Sequence, residues 1–279
     1  TRPGAVAEAA AARTRRPLLD ESGRLMIVAA DHPARGALGV ERDARAMANR
    51  ADLLERLCIA LARPGVDGVL GTPDVLEDLL LLGVLDGKVA IGSMNRGGLA
   101  GAAFELDDRF TAYRARDLDR LRFDGGKLLL RIDYDDPGSL NTLQAAATAV
   151  NELAAYGLTA MLEPFIVRRV DGKVRGDLSA EAISRSMAIA SGVGGTSAYT
   201  WLKVPVPDDV DDLRPVMETT TLPTVLLGGD TAVDAGAMYE RWRKALSLPN
   251  VYGLMAGRAL LYPADGDVAA AVDAAVELL

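Results

Sequence analysis

The chain of 279 residues has one cysteine, one histidine and only five lysines beside 26 arginines. No apolar run approaches the ~20 residues that a membrane-spanning helix needs. The lone Cys58 cannot form an internal disulfide, which points to a reducing, cytoplasmic setting. With His32 as the sole imidazole, a zinc centre lacks its usual ligands, and a Ser-His-Asp triad would have to use His32 without a Gly-x-Ser-x-Gly elbow. There is no Walker loop and no Gly-x-Gly-x-x-Gly after the first predicted strand, so neither a metal nor a nucleotide cofactor is expected. No Pro/Ser-rich or low-complexity linker divides the chain. A net charge of −8 and a pI near 4.9 give no general attraction to nucleic acid or acidic membranes. Any anionic ligand must therefore be held by a local site, and the expected partner is a small molecule.

What is present is an alternation of short apolar runs with longer helical patterns, the mark of βα units around a parallel sheet. Eight runs read as strands, at 25–30, 68–71, 89–92, 127–132, 159–163, 199–204, 224–227 and 251–256. Each is continuously apolar rather than alternating, as strands buried on both faces should be. Helical spacing occupies 42–62, 74–82, 139–156, 180–191, 208–218, 232–246 and 268–279. Eight strands close a barrel, so the predicted fold is α/β, a (β/α)8 TIM barrel over 21–279, ahead of an open doubly wound sheet. Residues 1–20 read as a flexible leader, frayed or arm-like. A glycine-containing excursion interrupts the third unit at 96–113, with a short helix expected over 115–122. After the fifth strand, 165–175 has an Asp171-Gly172 turn between two β-like runs, the signal of a hairpin that would cover the barrel mouth. The apolar 79–84 stretch permits a homo-oligomer.

A parallel barrel works at the carboxyl ends of its strands. There the sequence puts Asp31 and His32, then Lys127, Arg131 and Asp133, then Glu163, and finally Lys203. Alternation along the fourth strand sets Lys127, Leu129, Arg131 and Asp133 on one face, and along the sixth it sets Tyr199 and Trp201 with Lys203. A chain that so prefers arginine has reason to place a lysine at Lys203 if it needs an amine that can lose its proton and attack a carbonyl. A neighbouring cation such as Lys127, with partial desolvation, enlarges the fraction of a lysine held as free amine. Glu163 can then shuttle protons during carbinolamine formation and dehydration, while Asp31 takes the proton from the hydroxyl beside a breaking C–C bond. His32 is read as a neighbour of Asp31 in contact with substrate. After the last two strands, Gly228-Gly229 and Gly257-Arg258 stand where barrels commonly bind phosphate. Two other readings use the same residues: an isomerase or epimerase with Glu163 as base, or a non-catalytic sugar-phosphate-binding barrel.

These residues resemble the class I aldolases of the superfamily that includes the deoxyribose-phosphate, archaeal fructose-bisphosphate and tagatose-bisphosphate aldolases. The resemblance implies a metal-independent lyase with Lys203 as Schiff-base lysine, Asp31, Lys127 and Glu163 as its catalytic partners, and phosphate at Gly228-Gly229 and Gly257-Arg258. Asp31-His-Pro-Ala-Arg-Gly36 is longer and more basic than a simple Asp-His-Gly turn, and Arg131 with Asp133 adds charge on the fourth strand. The chain is also similar to actinobacterial barrel proteins of inositol or carbohydrate breakdown, which implies a keto-deoxy sugar-acid phosphate among the candidate substrates.

Overall fold

A computed structural model describes residues 2–41, 43–207, 209, 211–228 and 235–279. Strands β1 (Leu25–Ala30), β2 (Gly68–Gly71), β3 (Val89–Ser93), β4 (Gly125–Ile132) and β5 (Thr159–Val170) form most of the barrel wall. A short arm, β6 (Lys173–Gly176), stands apart, and β7 (Thr200–Val204), β8 (Thr224–Leu227) and β9 (Val251–Ala256) complete the ring. All ring pairings are parallel, β1 joins both β2 and β9, and β4 joins both β3 and β5, so the eight-stranded barrel is closed.

Strand alternation explains why these runs read as uniformly apolar. Leu25, Ile27 and Ala29 of β1 point into the barrel with Leu70, Ile91, Met161 and Met255. Met26, Val28 and Ala30 point outward to the helix layer. Both faces of β1 are buried, and both are apolar along the strand body. The same parity, carried one step further, delivers polar side chains to the inner rim.

The outer layer consists of α2 (Arg50–Leu61), α3 (Pro73–Leu81), α4 (Ala115–Arg120), α5 (Gly138–Ala155), α6 (Ala180–Ser191), α7 (Leu213–Met217), α8 (Ala235–Leu246), α9 (Arg258–Leu261) and α10 (Val268–Val276). Asn49, Ser179 and Asp267 cap α2, α6 and α10 by accepting backbone N–H bonds at the first turn. The helix expected over 42–62 starts at Arg50 because Asn49, in extended conformation, caps it there; only a 3-10 turn, Ala46–Ala48, precedes it. The one expected over 208–218 is reduced to α7, and part of 208–211 and 231–234 lie outside the described residues. No described helix is long and apolar enough to cross a membrane.

Two segments outside the βα repeat complete the architecture. Residues 2–20, expected as a flexible leader, lie against the barrel. They carry helix α1 (Ala5–Ala12) with Ala10 fully buried, followed by Arg13, whose guanidinium donates to Asp124 at 2.9 Å and to the Leu85 carbonyl at 3.0 Å. Arg15 also pairs with Asp124 and Arg16 with Asp67, while Leu18 and Leu19 pack on the barrel interior from below. Asp67 and Asp124 in turn accept from the N–H groups of Met26 and Ala90, so the segment seals the floor. In the hairpin, β5 continues to Val170 and pairs antiparallel with β6, with Asp171 and Gly172 both at positive φ (51° and 75°). That is the conformation an Asp-Gly two-residue turn is suited to.

Candidate active site

At the carboxyl ends of the strands an open cavity of about 540 Å³ is lined by Asp31, His32, Lys127, Arg131, Glu163 and Lys203, among others. All but His32 share the inward parity: Asp31 stands two residues after Ala29, Lys127 and Arg131 stand two on either side of Leu129, Glu163 two after Met161, and Lys203 two after Trp201. Four of them join in a chain of alternating charge. Lys203 Nζ lies 2.7 Å from Glu163 Oε1, and the other Glu163 oxygen pairs with Lys127. Lys127 Nζ also donates to Asp31 Oδ2 at 3.1 Å. Ser93 Oγ donates to the same oxygen at 3.3 Å, and Arg96 lies 3.3 Å from it while donating to the Asp31 carbonyl at 3.0 Å. The charged side chains among these are at most 10% exposed, and Ser93 is fully buried.

Burial and charge oppose each other here. Burial would raise Asp31, but Lys127 and Arg96 outweigh it and hold the carboxyl well below the usual carboxylate range. Glu163 is likewise raised by burial and lowered further by Lys127 and Lys203, ending at about 2. Burial lowers Lys127 despite its two carboxylate partners. His32 is pushed down to about 3 by burial, against the pull of Asp31 3.7 Å away, so the imidazole is neutral at pH 7 and its buried Nδ1 has no hydrogen-bond partner.

The opposite rim comes from β8 and β9. Gly228, Gly257 and Arg258 line the cavity. A side chain at Gly257 would put Cβ 2.3 Å from the Ala29 carbonyl oxygen, so only glycine lets β9 turn this close to β1. Gly229 lies outside the described residues. Asp133 does not reach the cavity. Its backbone N–H donates to Ser139 Oγ and its carboxylate accepts from the Asp135 N–H at 3.1 Å, so it shapes the β4–α5 turn.

The structure also brings in residues that the sequence did not single out. Arg96, Glu105 and Asp108 arrive on the 96–113 excursion, and Arg35 on the turn after Asp31. The excursion has no helical or strand period, and its charges gain meaning only when β3 and β4 lie side by side; the glycines in it were the one available signal. Among the described residues, no group of three or more His, Cys, Asp or Glu side chains is placed to hold a metal ion.

Known proteins give this geometry a context. The crystal structure of Cgl0159 from Corynebacterium glutamicum (Brevibacterium flavum) superposes with a TM-score of 0.96 at 55% identity, covering all of this chain and 92% of that one. A Schiff-base-forming fructose-1,6-bisphosphate aldolase superposes at a TM-score of 0.70 and 16% identity, over 98% and 99% of the two chains. An archaeal fructose-1,6-bisphosphate aldolase with its catalytic Lys covalently bound to a carbinolamine intermediate gives 0.70 at 15% identity, over 98% of each. At those identities the two aldolases share the fold. No functionally curated protein matches the chain in sequence. A profile of the Cgl0159-like family matches residues 23–276, nearly the whole barrel, and the chain belongs to that family.

Proposed function

We propose that this protein is a metal-independent class I aldolase that cleaves or forms a C–C bond in a phosphorylated keto sugar or keto-deoxy sugar acid. The observation that carries the reading is Lys203, a buried amine at the inner end of β7 whose ion-pair partner, Glu163, is shared with a second lysine. Lys203 gives a proton to Glu163 and its free amine attacks the substrate ketone. As Lys203 loses its charge, one of the two ammoniums depressing Glu163 disappears and the carboxylate becomes more basic, so the two groups exchange a proton as a coupled pair. Glu163 then protonates the carbinolamine oxygen, water leaves, and an iminium forms.

Asp31, kept ionised by Lys127 and Arg96, accepts the proton of the hydroxyl beside the scissile bond. The C–C electron pair moves into the iminium to give an enamine, and an aldehyde departs. Protonation of the enamine carbon regenerates an iminium, whose hydrolysis frees the Lys203 amine and releases the second product, dihydroxyacetone phosphate where the substrate is a ketose phosphate. Its phosphate is assigned to the turns at Gly228 and Gly257 with Arg258 as bidentate partner. The same barrel carries Schiff-base aldolases in other proteins, which supports the reading. An isomerase using Glu163 as sole base fares worse, because without imine chemistry both ammoniums stay in place and a carboxylate held near 2 is a weak base.

The test is to incubate the protein with dihydroxyacetone phosphate, reduce with borohydride and weigh the peptides. A reduced adduct on the Lys203 peptide, absent from Lys203→Ala, is expected. An adduct-free protein, with a panel of keto-sugar phosphates also negative, would sink the imine mechanism and leave the isomerase or a non-catalytic sugar-phosphate-binding barrel.

A further inference from the structure

We propose that the substrate carries a second anionic group, and that Arg35 and Arg131 bind it across the cavity from Gly257 and Arg258. Arg131 stands on β4 and Arg258 follows β9, the fourth and eighth strands of an eight-membered ring, so the two guanidiniums occupy opposite rims of one cavity. Arg131 is 7% exposed and anchored by the Glu105 carbonyl at 2.8 Å and the Gly98 carbonyl at 3.3 Å, and its buried Nε has no partner. Arg35 reaches the same place, with Nε donating to the Gly98 carbonyl at 3.1 Å and a terminal nitrogen to Glu105 at 3.3 Å.

The two arginines share a single oxygen of Glu105, whose other oxygen is taken by the Gly101 N–H. One carboxylate therefore serves two guanidiniums. Asp108 lies 3.7 Å from Arg131 without a hydrogen bond, and burial raises its pKa, which weakens it as a counter-charge. Burial, with Arg131 and Arg96 nearby, pushes Arg35 down to about 10, a sign of crowded positive charge. A chain with net charge −8 thus builds a local cationic excess in a partly closed site, with guanidinium donors left to spend. Planar guanidiniums match carboxylate or phosphate oxygens. The ligand chemistry that completes this wall is an anion at the end of the substrate distal to the first phosphate, either the carboxylate of a sugar acid or a second phosphate.

This deepens the aldolase reading and rests on it for the location of the site, but binding needs no imine. Calorimetric titrations should therefore use both wild type and Lys203→Ala. The probes are dihydroxyacetone phosphate with one anionic end, 2-keto-3-deoxy-6-phosphogluconate with carboxylate and phosphate, and fructose 1,6-bisphosphate with two phosphates. At least one two-ended probe is expected to bind about tenfold or more tighter than the one-ended probe, the scale of a charge-assisted hydrogen bond. Whichever two-ended probe wins identifies the anion. Arg35→Gln should erase that advantage while shifting dihydroxyacetone phosphate little, and Arg35→Lys should restore part of it. Equal affinities for all three probes, no binding by any, or uniform weakening in Arg35→Gln would overturn the second subsite. A missing borohydride adduct would remove the imine alone, because the probe ranking is read without it.

Discussion

Glu163 is the residue on which the site turns, because among the described residues it alone pairs with both Lys127 and Lys203. Replacing it by glutamine keeps the shape and removes the charge, leaving two buried ammoniums without their shared counter-ion and the carbinolamine without its acid. The expected outcome for Glu163→Gln is a fall in kcat on the order of 100-fold or more, the usual weight of a positioned acid–base group. The borohydride adduct should still form on Lys203, only more slowly, and the trapping rate measured against time checks this. An adduct formed at the wild-type rate would show that Glu163 does not handle the proton. At this scale the sequence spoke clearly wherever strand parity governs. The parity that buries Met161 and Trp201 also aims Glu163 and Lys203 inward, so knowing the strands was enough to find the pair. Parity does not carry Asp133, two residues beyond Arg131, to the cavity lining, because β4 ends at Ile132 and the chain has already entered the turn that Ser139 closes. Arg96 and Glu105 were hidden for the complementary reason, since no regular element carries them.

Among the elements, the amino-terminal segment and the hairpin arm show what local pattern leaves out. An Ala- and Arg-rich stretch has no hydrophobic period to announce a docked helix, and its partners, Asp67 and Asp124, are distant in sequence. Only the closed barrel sets those carboxylates side by side on its floor. Arg13 is the keystone of that contact, with a side chain 2% exposed. Arg13→Ala leaves Asp124 with the half-exposed Arg15 as its charged partner, beside the Ala90 N–H, and strips the Leu85, Lys88 and Arg122 carbonyls of a donor. It should cost about 3 kcal/mol, the scale for breaking a buried pair, as read by urea denaturation. A loss under about 1 kcal/mol would mean the segment is dispensable. The arm was more legible because Asp171-Gly172 announces its own turn. Its inner face supplies Phe165, Val167 and Val174 to the cavity wall, and Arg169 ties it to Asp136 at 3.5 Å and to the Ala103 carbonyl at 3.4 Å. Exposed ties of this kind contribute little to stability. Arg169→Ala should therefore change stability by less than about 1 kcal/mol while raising KM more than it lowers kcat. A change in kcat alone would place the arm in the chemistry instead of in substrate retention.

The whole molecule carries its charge unevenly, acidic overall and cationic inside the mouth, and this sets how its stability depends on pH. His32 has an ordinary pKa near 6.5 when unfolded and about 3 in the fold, lowered by burial and by Arg258 and Lys203 against the pull of Asp31 and Glu163. Below pH 6.5 the unfolded chain binds a proton that the fold refuses, so stability is intact above that pH and falls as the pH drops toward 3. Glu163, at about 2 in the fold against 4.5 unfolded, acts in the same direction, but its contribution is lost only as pH falls below about 4.5. The two windows separate. Between pH 6.5 and 5 the imidazole dominates, and because its side chain keeps 31% of its surface exposed, solvent screens part of the effect and makes the slope shallower than a full proton would give. Scanning calorimetry from pH 7.5 to 4 should show Tm declining already from about pH 6.5 in the wild type. In His32→Gln the curve should stay flat to about pH 5 and fall only in the carboxylate range. Parallel curves for the two proteins would show that His32 is charged in the fold, and the site would then hold one more cation than the structure implies.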